Sequence, residues 1–118
     1  MNYKDLTQQM DALVSKGQMV DAVSNFFAEG AKTSDYGKVT TQGRQKMVEK
    51  MENFIAGIAK VNGITHHHTI VDSNVSASEF TFDFDMKDGS KIYWHEIIRR
   101  IWDKDGKVAE EEYFEAQS

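Results

Sequence analysis

Two stretches of this 118-residue chain hold side chains whose types and spacing could do chemistry. The first is KIYWHEIIRRIWDKDGKVAEEEYFEA, Lys91–Ala116, where a run rich in Ile, Tyr and Trp carries Glu96 at its middle and the next run carries Glu110, Glu111 and Glu112 in succession. A carboxylate on the inward face of a sheet costs roughly several kcal/mol unless something binds, pairs or protonates it. Two carboxylates sharing an apolar space raise at least one pKa, because the charged form is both desolvated and repelled, and a carboxyl tuned that way can move protons near neutral pH. The second stretch is His66-His67-His68, three imidazoles in a row. Two histidines and a carboxylate are one ligand set for a metal ion.

The elements that must position these groups follow from hydrophobic period. Leu6, Met10, Leu13 and Val14 recur at helical spacing up to Lys16-Gly17, and Val20, Val23, Phe26 and Phe27 resume it until Gly30. An extended piece, Ala31–Tyr36, and a polar loop ending near Gly43 precede a third helix with Met47, Met51, Phe54, Ile55 and Ile58 on one face, closed by Asn62-Gly63. From Ile64 the period is two. Four strands are predicted, Ile64–Asp72, Val75–Met86, Lys91–Trp102 and Lys107–Glu115, joined by Asp-Ser-Asn and two Lys-Asp-Gly turns as an antiparallel meander. Helices first and strands after is the α+β pattern, with helices covering one face of a sheet.

Alternation separates the side chains. On the third long strand it splits Trp94, Glu96, Ile98 and Arg100 from Tyr93, His95, Ile97 and Arg99. His66 and His68 group with Ile64 and Ile70, the inward set, and His67 groups with Thr65 and Thr69. The i, i+2 histidine spacing is weakly specific for metal, so His66 and His68 are expected to line a pocket without one. Phe80, Phe82 and Phe84 alternate with Thr81, Asp83 and Asp85 and are expected in the core, with Glu79 on the opposite, convex face.

The totals narrow the function classes. With 40% hydrophobic and 28% charged residues the chain is an ordered globular domain, 1–118, able to bury roughly two thirds of its unfolded surface. Its net charge of −5, from 14 basic and 19 acidic residues without a basic stripe, gives no footprint for nucleic acid. The absence of cysteine removes disulfides and thiolate chemistry. No run nears the roughly 20 apolar residues of a membrane span. The N-terminal MNYKDLTQQMDALV lacks the apolar centre of a signal peptide, so a cytoplasmic protein is expected.

Three helices, a short strand between the second and third, and four long hairpin-linked strands form the order of the nuclear-transport-factor-2-like (cystatin-like α+β) superfamily. The segments VDAVSNFFAEGAKTSDYG and YWHEIIRRIWDKDGKVAEEEYFEA resemble the second helix running into the first strand, and the closing hairpin, of its SnoaL-like, polyketide-cyclase-type branch. The resemblance covers nearly the whole chain. It implies three helices packed on a strongly bent antiparallel sheet, a cone enclosing a pocket, usually in a homodimer formed through the sheet. It also implies a small apolar molecule as partner and, for the enzymes of the group, acid/base chemistry of isomerase, cyclase or dehydratase type without a cofactor. Non-catalytic ligand binding or protein interaction is the alternative, because a shared fold does not select an activity.

Alignment with the ketosteroid isomerases, as part of that resemblance, puts Asp35 where they have a general base and Ile98 where they have an oxyanion-hole acid. Met10 falls near their helix tyrosine. It also turns Glu96 inward with Trp94, and turns Ala109, Glu111 and Tyr113 inward on the last strand, leaving Val108, Glu110, Glu112 and Phe114 outside or at a subunit contact. Asp35, Glu96 and Glu111 are then the catalytic candidates, and His66, His68, Trp94, Ile98, Tyr113 and Phe54 the substrate-binding ones. Residue by residue the alternatives are a turn aspartate at Asp35 and rim glutamates meeting water or Arg99 and Arg100.

Overall fold

The computed structural model describes residues 1–116. Three helices, α1 (Tyr3–Ser15), α2 (Met19–Phe26) and α3 (Arg44–Ala56), accompany six strands, β1 (Phe27–Asp35), β2 (Lys38–Gln42), β3 (Ile58–Asp72), β4 (Val75–Met86), β5 (Lys91–Trp102) and β6 (Val108–Glu115). The strands form one sheet in the order β2-β1-β6-β5-β4-β3. Every pairing is antiparallel except β1 with β6, which is parallel, so the sheet is mixed where antiparallel strands were expected.

Capping and apolar stripes account for the helices. The Asn2 side chain accepts from the backbone N–H of Asp5 at 3.0 Å and caps α1, and Met10 and Val14 point into the core. Helix α1 lies over β3 and β4, while α2 contacts β1 and α3 covers β1 and β2. Strand β4 presents Ser76, Ser78, Phe80, Phe82 and Phe84 to the helices, all buried, as its period of two requires. No helix among the described residues is long and apolar enough to cross a membrane.

Boundaries differ from the sequence expectation in three places. Helix α2 stops at Phe26 and Phe27 opens β1, because Phe27 pairs with Val108 and is wholly buried there. The polar segment Lys38–Gln42 is a strand, paired with β1 as a hairpin. Helix α3 ends at Ala56, and Asn62-Gly63 lies inside β3, because β3 is recruited from Ile58 onward by pairing with Met86, Asp85 and Phe84 of β4. The β3–β4 ladder carries three register shifts and the β5–β6 ladder one, between Ile101 and Trp102. That last shift sets Val108 opposite Trp102 and buries it completely, which overturns its expected outward position.

Candidate functional site

A cavity of about 240 Å³ opens between the helices and the concave side of the sheet. Its walls are apolar, from Met10, Val14, Val23, Met47, Phe82 and Phe84 among others, and its polar groups gather at two poles. One pole is near solvent. The other is closed off.

The solvent-side pole is built by the β1–β2 hairpin. Tyr36 and Gly37 both have positive φ, 53° and 89°, the backbone of a two-residue hairpin turn, and Gly37 tolerates it because it has no Cβ. Tyr36 is itself 54% exposed, and its hydroxyl reaches inward to donate to Oε2 of Glu96 at 2.7 Å. Glu96, on β5 opposite Phe80, is only 6% exposed. Burial holds its pKa above the ordinary carboxyl value; the Tyr36 hydroxyl works against that shift, and Asp35, Glu111 and Glu115 add to it. Asp35 at the end of β1 accepts from Lys50 Nζ at 3.0 Å and Thr40 Oγ1 at 3.1 Å. The Trp94 ring stacks on Phe54 at 5.6 Å and 19° and forms an aromatic wall beside Glu96.

The closed pole is an ion cluster. Arg100, 1% exposed, donates through Nε to Glu111 Oε2 at 3.1 Å and through Nη1 to Asp11 Oδ1 at 2.7 Å. Ser78 Oγ and Thr69 Oγ1 donate to the other Asp11 oxygen at 2.7 and 2.8 Å. Burial alone would lower the Arg100 pKa, and the two carboxylates more than reverse it, so this guanidinium is permanently charged. Tyr113 borders the same end of the cavity, its hydroxyl pKa pushed well up by burial and then by the Glu111 carboxylate.

Seven of the nine residues singled out from the sequence border this one cavity: Asp35, Glu96, Glu111, Trp94, Ile98, Tyr113 and Phe54. His66 and His68 do not. A register shift between them breaks the alternation: His66 pairs with Phe80 and stacks on its ring at 4.7 Å, its Nε2 meeting Thr69 Oγ1, while His68 lies opposite Glu79. His67 contacts Thr81 Oγ1 at 2.7 Å and packs against His95, whose Nε2 is 2.6 Å from Glu79 Oε2. The carboxylate of Glu79 is held below its usual pKa by that histidine. Among the described residues no three His, Asp or Glu side chains converge on a point that could hold a metal ion.

Four polar participants escape the sequence reading as site residues: Tyr36, Lys50, Arg100 and Asp11. Tyr36 reads as a turn residue, and Arg100 as a possible rim partner. Asp11 carries a signal in its spacing. With Thr7, Met10 and Val14 it completes the i, i+3, i+4, i+7 stripe of α1, so a charge stands on the face that the helix buries.

No family model matches the sequence. Nor does any curated protein. Solved structures do match. A Mesorhizobium loti protein provisionally described as a SnoaL-like polyketide cyclase superposes with a TM-score of 0.83 at 19% identity, over 97% of this chain and 99% of that one. A cystatin-fold protein from Novosphingobium aromaticivorans gives 0.81 at 14% identity, over 97% and 98%. A nuclear-transport-factor-2-like protein from Burkholderia pseudomallei gives 0.77 at 11% identity, over 98% and 92%. The chain has the nuclear-transport-factor-2-like fold. The α+β class expected from element order is thereby the class found, and at these identities the likeness extends to the nuclear-transport-factor-2-like fold and no further.

Proposed function

We propose that the cavity binds a largely apolar compound of one or two rings bearing a carbonyl group, and that Glu96 moves a proton at the carbon beside that carbonyl using protein groups alone. The size class follows from the volume of about 240 Å³, just under the range of roughly 300–1,000 Å³ usual for drug-sized ligands. The supporting observation for chemistry is Glu96: a buried carboxyl with a raised pKa on the wall of an apolar cavity. Such a carboxylate, stripped of water, is a stronger base than one in solution. It takes the α-proton, and as Glu96 becomes protonated the Tyr36 hydroxyl beside it is released to donate to the enolate oxygen that develops. Asp35 is less apt as the base, since Lys50 already neutralises it. The Mesorhizobium protein's provisional description as a SnoaL-like polyketide cyclase is in keeping with a small-molecule enzyme.

The test is hydrogen exchange at the α-carbons of 2-tetralone in D2O, followed by proton NMR. The wild type accelerates exchange over buffer and Glu96→Gln does not. Absence of acceleration by the wild type sinks the chemistry and leaves a binding protein.

We propose in addition that two copies associate through the convex face of the sheet, where Tyr93, Ile97 and Phe114 are exposed, Ile97 and Phe114 as direct cross-strand partners. Light scattering on wild type and Ile97→Lys tests it: a dimer that becomes a monomer is expected, and a wild-type monomer ends the idea.

A further inference from the structure

Tyr36 reaches Glu96 from an unfavourable backbone. Its φ of 53° lies in the left-handed region that a residue with a Cβ seldom enters, and more than half of the residue is exposed, so little packing fixes where the ring points. Behind it the β1–β2 ladder is irregular between Thr33 and Ser34. The aim of the hydroxyl onto Glu96 therefore depends on the pose of the whole hairpin.

A side chain from a helix grips that hairpin. Lys50 on α3 donates to Asp35 Oδ2 at 3.0 Å and to Thr40 Oγ1 at 3.3 Å, and Thr40 Oγ1 donates to the same Asp35 oxygen at 3.1 Å. These bonds close a ring among α3, β1 and β2. Asp35 is the residue before Tyr36, and the Tyr36 N–H donates to the Tyr113 carbonyl at 3.0 Å, so the turn is clasped by α3 and by β6. Lys50 also lines the cavity, with Met47, Met51 and Phe54 of its own helix, which places the grip at the cavity rim. An ion pair as exposed as this one, 38% and 33% at its two side chains, adds little to stability, so its consequence is to be sought in the site.

We propose that Lys50 is a positioning residue for the chemistry at Glu96: through Asp35 and Thr40 it holds the hairpin in the pose from which the Tyr36 hydroxyl meets the carboxyl. The proposal rests on the reading of Glu96 as the group that moves the proton and deepens it, since Lys50 acts there through its neighbours. The titratable and charged groups that share the cavity end with Glu96 are Asp35 and Tyr36 from the hairpin, Glu111, Tyr113 and Glu115 from β6, Arg100 from β5 and Lys50 itself. Removing Lys50 has two effects on Glu96 of the same sign. The Tyr36 donor slackens, and the charge of Asp35 is left without its cation. The proposal concerns the first, and a double-mutant cycle separates it from the second.

The experiment is carboxyl-resolved NMR titration of Glu96 in the wild type, Lys50→Met, Tyr36→Phe and the double variant, with Lys50→Arg as the rescue and urea denaturation as the check on folding. Lys50→Met is expected to keep nearly the wild-type urea midpoint, to weaken the nuclear Overhauser contacts between the Tyr36 ring and Glu96, and to raise the Glu96 titration midpoint by about half a pH unit or more, the scale of one weakened hydrogen bond. Lys50→Arg, which keeps a donor for Asp35, is expected to restore both. In the Tyr36→Phe background the same Lys50→Met substitution is expected to move Glu96 much less, because the hydroxyl that Lys50 positions is gone. Equal shifts in the two backgrounds would mean that only the charge of Asp35 is felt, and overturn the proposal. An unmoved Glu96 midpoint in Lys50→Met overturns it as well. The titration needs no substrate, so the positioning of Tyr36 is decided separately from the exchange of 2-tetralone protons.

Discussion

The hydroxyl of Tyr36, at the tip of the β1–β2 hairpin, donates to Glu96, at the middle of β5, across 2.7 Å. Sixty positions separate the two residues along the chain. A solvent-side turn thereby tempers the effect of burial on an acid inside the cavity.

Removing that donor takes away a group that favours the ionised form of Glu96 while burial, the larger influence, stays. Tyr36→Phe is therefore expected to raise the Glu96 pKa further and to move the acid limb of any exchange activity to higher pH. Carboxyl-resolved NMR titration of wild type and variant measures it directly; a Glu96 resonance titrating at the same pH in both would show the bond to be absent in solution.

The same raised pKa makes a stability statement. Native Glu96 binds its proton more tightly than the unfolded chain does, so over the window from the ordinary carboxyl value up to the native one the folded state holds more protons. Its contribution is complete below the unfolded pKa and is lost as pH rises through the native one. Glu96→Gln cannot titrate and escapes that loss. The urea midpoint of the variant should gain on the wild type between pH of about 4 and 8; a constant difference across that range contradicts the shift.

Arg100 neutralises two buried acids at once. Arg100→Leu leaves Asp11 and Glu111 without their cation and should cost about 3–5 kcal/mol of unfolding free energy, measured by urea denaturation at neutral pH. A loss under about 1 kcal/mol would mean that water reaches the cluster and screens it.

Two aromatic wall residues should separate stability from binding. Phe84 is 1% exposed, and Phe84→Ala is expected to cost about 3–5 kcal/mol through the hole it leaves. Trp94 is 40% exposed, so Trp94→Ala should cost much less stability while weakening 2-tetralone binding several-fold. Equal losses of stability in the two variants would place Trp94 in the core rather than at the mouth of the cavity.

How much of this was legible beforehand differs element by element. The α+β class is written locally, since the hydrophobic period changes from helical to two along the chain. Glu96, Glu111 and Tyr113 were also placed on inward positions, through a resemblance that alternation then carried along each strand. Other features lie beyond what alternation can carry. The shift between His66 and His68 takes His68 out to the convex face, and the shift at Ile101/Trp102 brings Val108 in. A bulge is fixed by the partner strand, not by the strand's own residues. The parallel β1–β6 pairing, the capture of Ile58–Val61 by β4 and the meeting of Asp11 with Arg100, 89 positions apart, likewise depend on chain segments brought together only by folding. Side-chain type and local period settle which residues want burial; which buried charges find each other is settled by long-range contact.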